Sequence, residues 1–241
     1  MIRRAGRPYP PPPSRHTRRI VGWAVLGVTL LGALLLVLES LGIVGETGTY
    51  QVMFVGASVT EGYYATENDE AYPADTVDML DQRGANVSPL VVARAGTGTA
   101  DVLRWRLEGS PDAIVLQVAT NDFGKGLSLQ QYRANYGGIL AGLRALAPKA
   151  RLLCLGGWRA STEVNQSGVT GAQFDAMTAS ECATARGHFV SLDGLFRNPS
   201  YHGPEGRETF HGPGDWFHPN NQGHQAIANL VVQNLGPVPT G

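Results

Sequence analysis

The chain has 241 residues, of which 43% are apolar and 16% charged, which suits one globular domain with an appendage better than two domains. Its net charge of −1 conceals an asymmetry: Arg3, Arg4, Arg7, Arg15, Arg18 and Arg19 are six of the 19 basic residues, and no acid precedes Glu39. The remainder is mildly acidic, which excludes a nucleic-acid binder, since that class carries its basic residues clustered on the folded domain.

In chain order, residues 1–19 are an Arg/Pro-rich tail in which Pro8 to Pro13 is nearly all proline, so an extended, unpacked segment is expected. Ile20 to Leu38 follow, 19 residues without a charge and rich in Leu, Val, Ala and Gly. As a helix they span roughly 28 Å, about the hydrocarbon core of a bilayer. Arg18 and Arg19 before the run and Glu39 after it place the N-terminus in the cytoplasm and the rest of the chain outside, at a cell membrane. The run exceeds the 7–15 apolar residues of a signal peptide, and Leu38–Glu39–Ser40–Leu41–Gly42 is a poor cleavage site. A single-pass signal-anchor is therefore the expectation, with secretion after cleavage as the alternative. Residues 39–49 read as a linker and 50–241 as the folded body.

In that body apolar runs alternate with helical stretches. Strands are expected at Val52–Val55, Leu90–Ala93, Ala113–Ala119, Arg151–Leu155 and Phe189–Leu192. Helices are expected at Pro73–Arg83, Thr99–Leu107, Leu129–Leu146, Ala172–Arg186 and Asn221–Leu235. This alternation predicts a three-layer α/β/α sandwich with a five-stranded parallel sheet, preceded by one transmembrane helix. In such a sheet ligands bind beyond the carboxyl ends of the strands.

Those ends carry the chemistry. The first strand runs into Gly56–Ala57–Ser58, a hydroxyl at a backbone turn. The second ends in Ala95–Gly96–Thr97–Gly98–Thr99, where glycine lets an amide approach a substrate. The third ends in Ala119–Thr120–Asn121–Asp122, whose asparagine amide suits an oxyanion. Near the C-terminus, Asp215–Trp216–Phe217–His218–Pro219–Asn220 places a base and its orienting carboxylate in one turn, as activation of a serine requires.

In this order, these four segments resemble the signature blocks of the SGNH hydrolases, the GDSL-type esterase superfamily. The most specific part is Asp215-x-x-His218 followed by Pro219–Asn220-x-x-Gly223–His224. The resemblance spans the body 50–241 and implies a serine ester hydrolase working through an acyl-enzyme. Ser58 would be the nucleophile and His218 the base, oriented by Asp215. The Ser58 amide, a glycine amide and Asn121 would form the oxyanion hole, with Gly96 favoured over Gly98. Two positions depart from the pattern: Gly-Asp-Ser is Gly56–Ala57–Ser58, and Gly-x-Asn-Asp is Ala119–Thr120–Asn121–Asp122, where Ala119 adds a methyl group near the site. An acyl ester of an envelope carbohydrate or lipid, with a short acyl group, is the expected substrate. An acyltransferase with the same residues and a catalytically idle, membrane-tethered binding module are the alternatives.

Trp158 and Arg159, after the fourth strand, are candidates for the substrate cleft. Segment 197–214, rich in Gly, Pro and His, reads as a lid or a long connection. His202, His211, His218 and His224 match no standard zinc spacing, so no metal or other cofactor is expected. Cys154 and Cys182 could be bridged or free.

Overall fold

A computed structural model of the protein describes residues 48–240. The tail 1–19, the apolar run 20–38 and nearly all of the 39–49 linker lie outside them. Among the described residues no helix is long and apolar enough to cross a membrane.

Five apolar runs form the sheet: β1 (Tyr50–Gly56), β2 (Val87–Ala93), β3 (Ala113–Gln117), β4 (Arg151–Leu155) and β5 (His188–Val190). All pairings are parallel, in the order β2-β1-β3-β4-β5. The helices are α1 (Ser58–Glu61), α2 (Tyr72–Asp81), α3 (Thr99–Val102), α4 (Ala119–Gly124), α5 (Leu129–Leu146), α6 (Gly171–Thr184), α7 (Asp193–Phe196) and α8 (Asn221–Asn234).

Strand side chains alternate between two cores, as the period of two requires. Met53, Val55, Ile114, Leu116, Leu152 and Cys154 pack with α5 and α6, while Val52, Phe54, Ala113, Val115, Leu153 and Leu155 pack with α2 and α8. The three-layer sandwich expected from the sequence is thus present. The same parity turns Cys154 toward α6, where it is bridged to Cys182 with Cα atoms 6.3 Å apart, which settles the open pairing. Pro89 sits within β2, and the edge position of that strand tolerates its missing N–H.

Several elements depart from expectation. The helix expected over Thr99–Leu107 ends at Val102. Leu103–Arg104–Trp105–Arg106–Leu107 alternates apolar and basic residues with period two, and Trp105 and Leu107 pack on the core while both arginines are exposed. The strand expected over Ala113–Ala119 stops at Gln117, because Ala119 opens the short helix α4. The strand expected at Phe189–Leu192 is shifted to His188–Val190, and Asp193 begins α7.

The chain leaves β1 outward to β2 and then crosses back to β3, so the strand order reverses at β1. The crevice at such a reversal, beyond the carboxyl ends of β1 and β3, is where the topology opens a site.

Candidate active site

Ser58 is the first residue of α1, two positions after β1 ends, and is 6% exposed. Its amide has no intrahelical acceptor, as at any helix start, and donates to no group among the described residues. Its Oγ lies 3.0 Å from His218 Nε2, and His218 Nδ1 lies 2.9 Å from Asp215 Oδ2. Asp215 can only accept at Nδ1, so Nδ1 carries the proton and Nε2 presents its lone pair to the serine hydroxyl.

Asp215 is held by its own turn. Its Oδ1 accepts from the amides of Phe217 at 2.8 Å and His218 at 2.7 Å. Burial pushes the carboxyl up, but the hydrogen bonds from the His218 amide and imidazole and the Phe217 amide outweigh it. The carboxyl therefore lies below the ordinary carboxylate range and stays ionised beside the imidazole.

The loop after β2 is tied both to α1, which Ser58 begins, and to α4. Almost every amide in it is occupied. Ala95 N donates to Glu61 Oε2, Thr97 N to the Arg94 carbonyl, Gly98 N to Asp101 Oδ2 at 3.1 Å, and Thr99 N to Asp122. The Gly96 amide has no acceptor among the described residues. Gly96 has φ +76°, and a Cβ there would meet nothing within 4 Å, so the position faces open space in a conformation suited to glycine. Lys125 Nζ donates to the Gly96 carbonyl at 2.8 Å, and Asn121 Nδ2 donates to the Thr97 carbonyl at 2.8 Å, leaving the second amide hydrogen of Asn121 free of that bond. Gly98 is committed elsewhere: its amide is taken, and a Cβ on it would meet the Asp122 carboxylate at 3.0 Å.

Asp122 ties α4 to α3 through the Thr99 amide and hydroxyl, the latter at 2.6 Å. Burial pushes its carboxyl up, and the Thr99 bonds offset part of that rise. Ala57 and Ala119, the two departures from the family pattern, are each 1% exposed. The added methyl of Ala119 is packed inside and does not line the opening.

Trp158 and Arg159 do not line it either. Trp158 is 0% exposed; its indole N–H donates to the Phe217 carbonyl at 2.7 Å, and its ring packs edge-on to Phe196. It is a strut beneath the turn that carries His218. The Arg159 guanidinium is buried over the Phe123 ring, bonded to the Thr120 carbonyl and to Glu163. Burial pulls its pKa down to about 10, Glu163 and Asp175 opposing, so it remains charged as a brace under α4.

Several residues near the site carry no sequence motif of their own. Glu61 orders the Gly96 loop through Ala95. Tyr64 meets the His218 ring edge-on at 4.9 Å, and Tyr63 stacks on His211 at 4.3 Å. His202 Nδ1 lies 3.0 Å from the Phe217 carbonyl and Nε2 2.6 Å from the Phe196 carbonyl, a neutral ring donating to one of the two, and His224, buried in α8, bonds the Tyr63 carbonyl and the Tyr72 amide. The four histidines thus have separate hydrogen-bond partners. Asp193 accepts from the Ser161 amide and from Arg197, a structural role.

The segment 197–214 is a pinned connection. Gly206 and Arg207 pair with Gly214, Phe210 N donates to the Ala65 carbonyl, and His211 Nε2 donates to the Glu61 carbonyl.

Comparison with known proteins follows the same lines. The chain is similar in fold to the psychrotrophic esterase EstA from Pseudoalteromonas sp., with TM-score 0.59 and 11% identity over 77% of this chain and 96% of that one. It is similar to Axe2, an acetylxylan esterase from Geobacillus stearothermophilus, with TM-score 0.59 and 16% identity over 80% and 99%. A two-domain esterase active on acetylated mannans gives TM-score 0.57 and 17% identity over 78% of this chain and 48% of that one. No curated protein matches at the level of sequence. The pattern of the GDSL-like lipase/acylhydrolase family matches residues 54–226, a stretch that begins in β1 and ends in α8 and so includes Ser58, Gly96, Asn121, Asp215 and His218. With its sheet, helical layers and motif order in agreement, the chain belongs to the GDSL-like lipase/acylhydrolase family, the SGNH-type ester hydrolases.

Proposed function

We propose that the protein hydrolyses short-chain acyl esters of envelope carbohydrate through a covalent acyl-enzyme, anchored to the membrane by residues 20–38 with the folded body outside. The observation that carries the mechanism is the Ser58–His218–Asp215 chain, at 3.0 and 2.9 Å, together with the Ser58 and Gly96 amides, which have no acceptor among the described residues. His218 Nε2 takes the Ser58 proton as Oγ bonds to the ester carbonyl carbon. The carbonyl oxygen becomes an oxyanion and accepts from the Ser58 and Gly96 amides and from Asn121 Nδ2. The ester C–O bond breaks, and the alcohol leaves with the proton from His218. A water then gives its proton to His218 and attacks the acyl carbon, releasing the acid and restoring Ser58.

The substrate class is supported by the fold shared with esterases whose substrates are acetylated xylan and mannan. The location is supported by the apolar run and its flanking charges.

The test is turnover of 4-nitrophenyl esters from acetyl to palmitoyl by the full chain in detergent. Activity should be greatest with acetyl, and Ser58→Ala should lose at least about 10,000-fold together with fluorophosphonate labelling. Undiminished activity in Ser58→Ala would sink the mechanism. Labelling without hydrolysis would point to an acyltransferase, and neither would point to an idle binding module. On intact cells, external protease should remove the folded body; a protected body would overturn the orientation.

A further inference from the structure

Resting on the ester-hydrolase reading, we infer that Trp216 is a stacking platform for a sugar ring adjoining the ester, which makes the substrate an acetylated oligo- or polysaccharide and not a lipid ester. The two tryptophans beside the base are treated in opposite ways. Trp158 is wholly buried, whereas Trp216 is 60% exposed although it sits between Asp215 and Phe217, both fixed by the Asp215 turn.

The exposed indole is held in place. Its six-membered ring rests against Gly203, where a Cβ would lie only 2.3 Å from ring carbon Cζ3 and 2.4 Å from Cε3, so no residue with a side chain fits beneath it. Gly203 is itself secured by Asn220 Nδ2, which donates to its carbonyl at 3.0 Å. The indole N–H has no acceptor among the described residues, so a rigid aromatic surface and a free donor are presented together. Pre-organisation of this kind lowers the entropic cost of ordering a ligand.

The surroundings select the ligand. Pro204, Glu205, Gly206, Arg207 and Glu208 are exposed beside Gly203. A small recess of about 10 Å³ beside Asp215 and His218 is lined by Tyr64, Gly203, Pro204, Arg207, Thr209 and Asn220, and Trp216 stands outside it. A lipid acyl chain needs a continuous apolar channel, and this recess is too small to be one. A pyranose offers an apolar C–H face to an aromatic ring and hydroxyls to polar groups around it. The Trp216 ring rests on Gly203, which shares the wall of that recess with Asp215 and His218, and this sets the indole beside the base, the place of a sugar neighbouring the ester.

The experiment compares kcat/KM of the full chain for acetylated xylo- and manno-oligosaccharides with that for 4-nitrophenyl acetate, in wild type, Trp216→Ala and Trp216→Tyr. The ratio of oligosaccharide to nitrophenyl activity should fall about tenfold in Trp216→Ala, through KM, and recover in Trp216→Tyr. Deacetylated oligosaccharide should quench the fluorescence of Ser58→Ala, and the quench should vanish when Trp216→Tyr is added. An unchanged ratio, no quench, or a selective loss on long-chain nitrophenyl esters would overturn the platform while leaving the hydrolase reading intact. Wild-type protein that turns over no ester and takes no fluorophosphonate would overturn both.

Discussion

Ser58, Gly96 and Asn121 each lie within four residues of the end of a β-strand, whereas Asp215 and His218 lie in residues 197–220, the long connection between α7 and α8. In the first region the parallel ladder of β2, β1 and β3 sets the spacing of the loops, and the carboxylates of Glu61, Asp101 and Asp122 occupy the amides around Gly96. In the second region no ladder is available. Trp158, His202 and Asn220 take over, each bonding backbone carbonyls of the connection or of its neighbour α7. The consequence is an asymmetry of failure. Substitution among the strand-end groups should remove chemistry from an intact fold, whereas substitution in the connection should loosen fold and chemistry together.

Asn121→Ala probes the strand-end half and carries the largest expected effect of those that bear on this contrast. Loss of an oxyanion donor should lower kcat about 100- to 1000-fold. Among the described residues the side-chain bond lost is the one to the Thr97 carbonyl, so stability should fall by about 1 kcal/mol, read as urea midpoint. A stability loss well beyond that would erase the contrast between the halves.

Acid probes the seam between them. His224 Nδ1 accepts from the Tyr72 amide at 3.3 Å and Nε2 donates to the Tyr63 carbonyl at 2.9 Å, an arrangement that only the neutral ring can make. Burial pushes its pKa down to about 4, the Tyr63 bond opposing. The unfolded chain, with histidine near 6.5, takes the proton first. The contribution of His224 is therefore intact above pH 6.5 and is lost between 6.5 and 4, amounting to on the order of 3 kcal/mol. Asp75 runs the other way. Burial and the charges of Asp78, Glu70 and Asp69 raise its carboxyl to about 6, so acidification relieves it. The informative quantity is thus the difference between wild type and His224→Asn, whose midpoints should converge as pH falls from 6.5 to 4. Parallel curves would show that His224 is not the sensor.

What could be read in the sequence follows the same division. Strand ends, the Ser58 turn and Asp215-x-x-His218 are local patterns, and Gly and Pro punctuate them, so their placement needed no tertiary information. Leu103–Leu107 misled because bulky apolar residues satisfy a helix count as well as a period of two. Helix α4 is six residues long and ends in Gly124, too short to show a period. The position of Trp158 after the fourth strand points it toward the cleft, and its burial depends on Phe196, His202 and Phe217, 38 to 59 positions away. The pinning of Gly96 by Glu61 and Lys125 is likewise long-range. The pairing of Cys154 with Cys182 needed the parity of β4 relative to α6.

Asn220 is the sharpest test of the connection, because one side chain serves two ends of it. Its Nδ2 lies within 3.0 Å of the carbonyls of Ser200, His202 and Gly203, and its Oδ1 caps α8 by accepting from Gly223 N at 3.0 Å. Asn220→Ala should cost about 2 kcal/mol, roughly half from the lost cap and half from the abandoned carbonyls. The carbonyls position the chain two residues from His218, so kcat should also fall, by roughly tenfold, as the imidazole loses its register with Ser58. Asn220→Asp separates the two functions, because a carboxylate can accept from Gly223 N but cannot donate to the carbonyls. It should recover the cap, about 1 kcal/mol of urea stability, without recovering kcat. Recovery of both would mean that the helix start alone orders the base, and that the connection is held by its cap and not by the bonds across it.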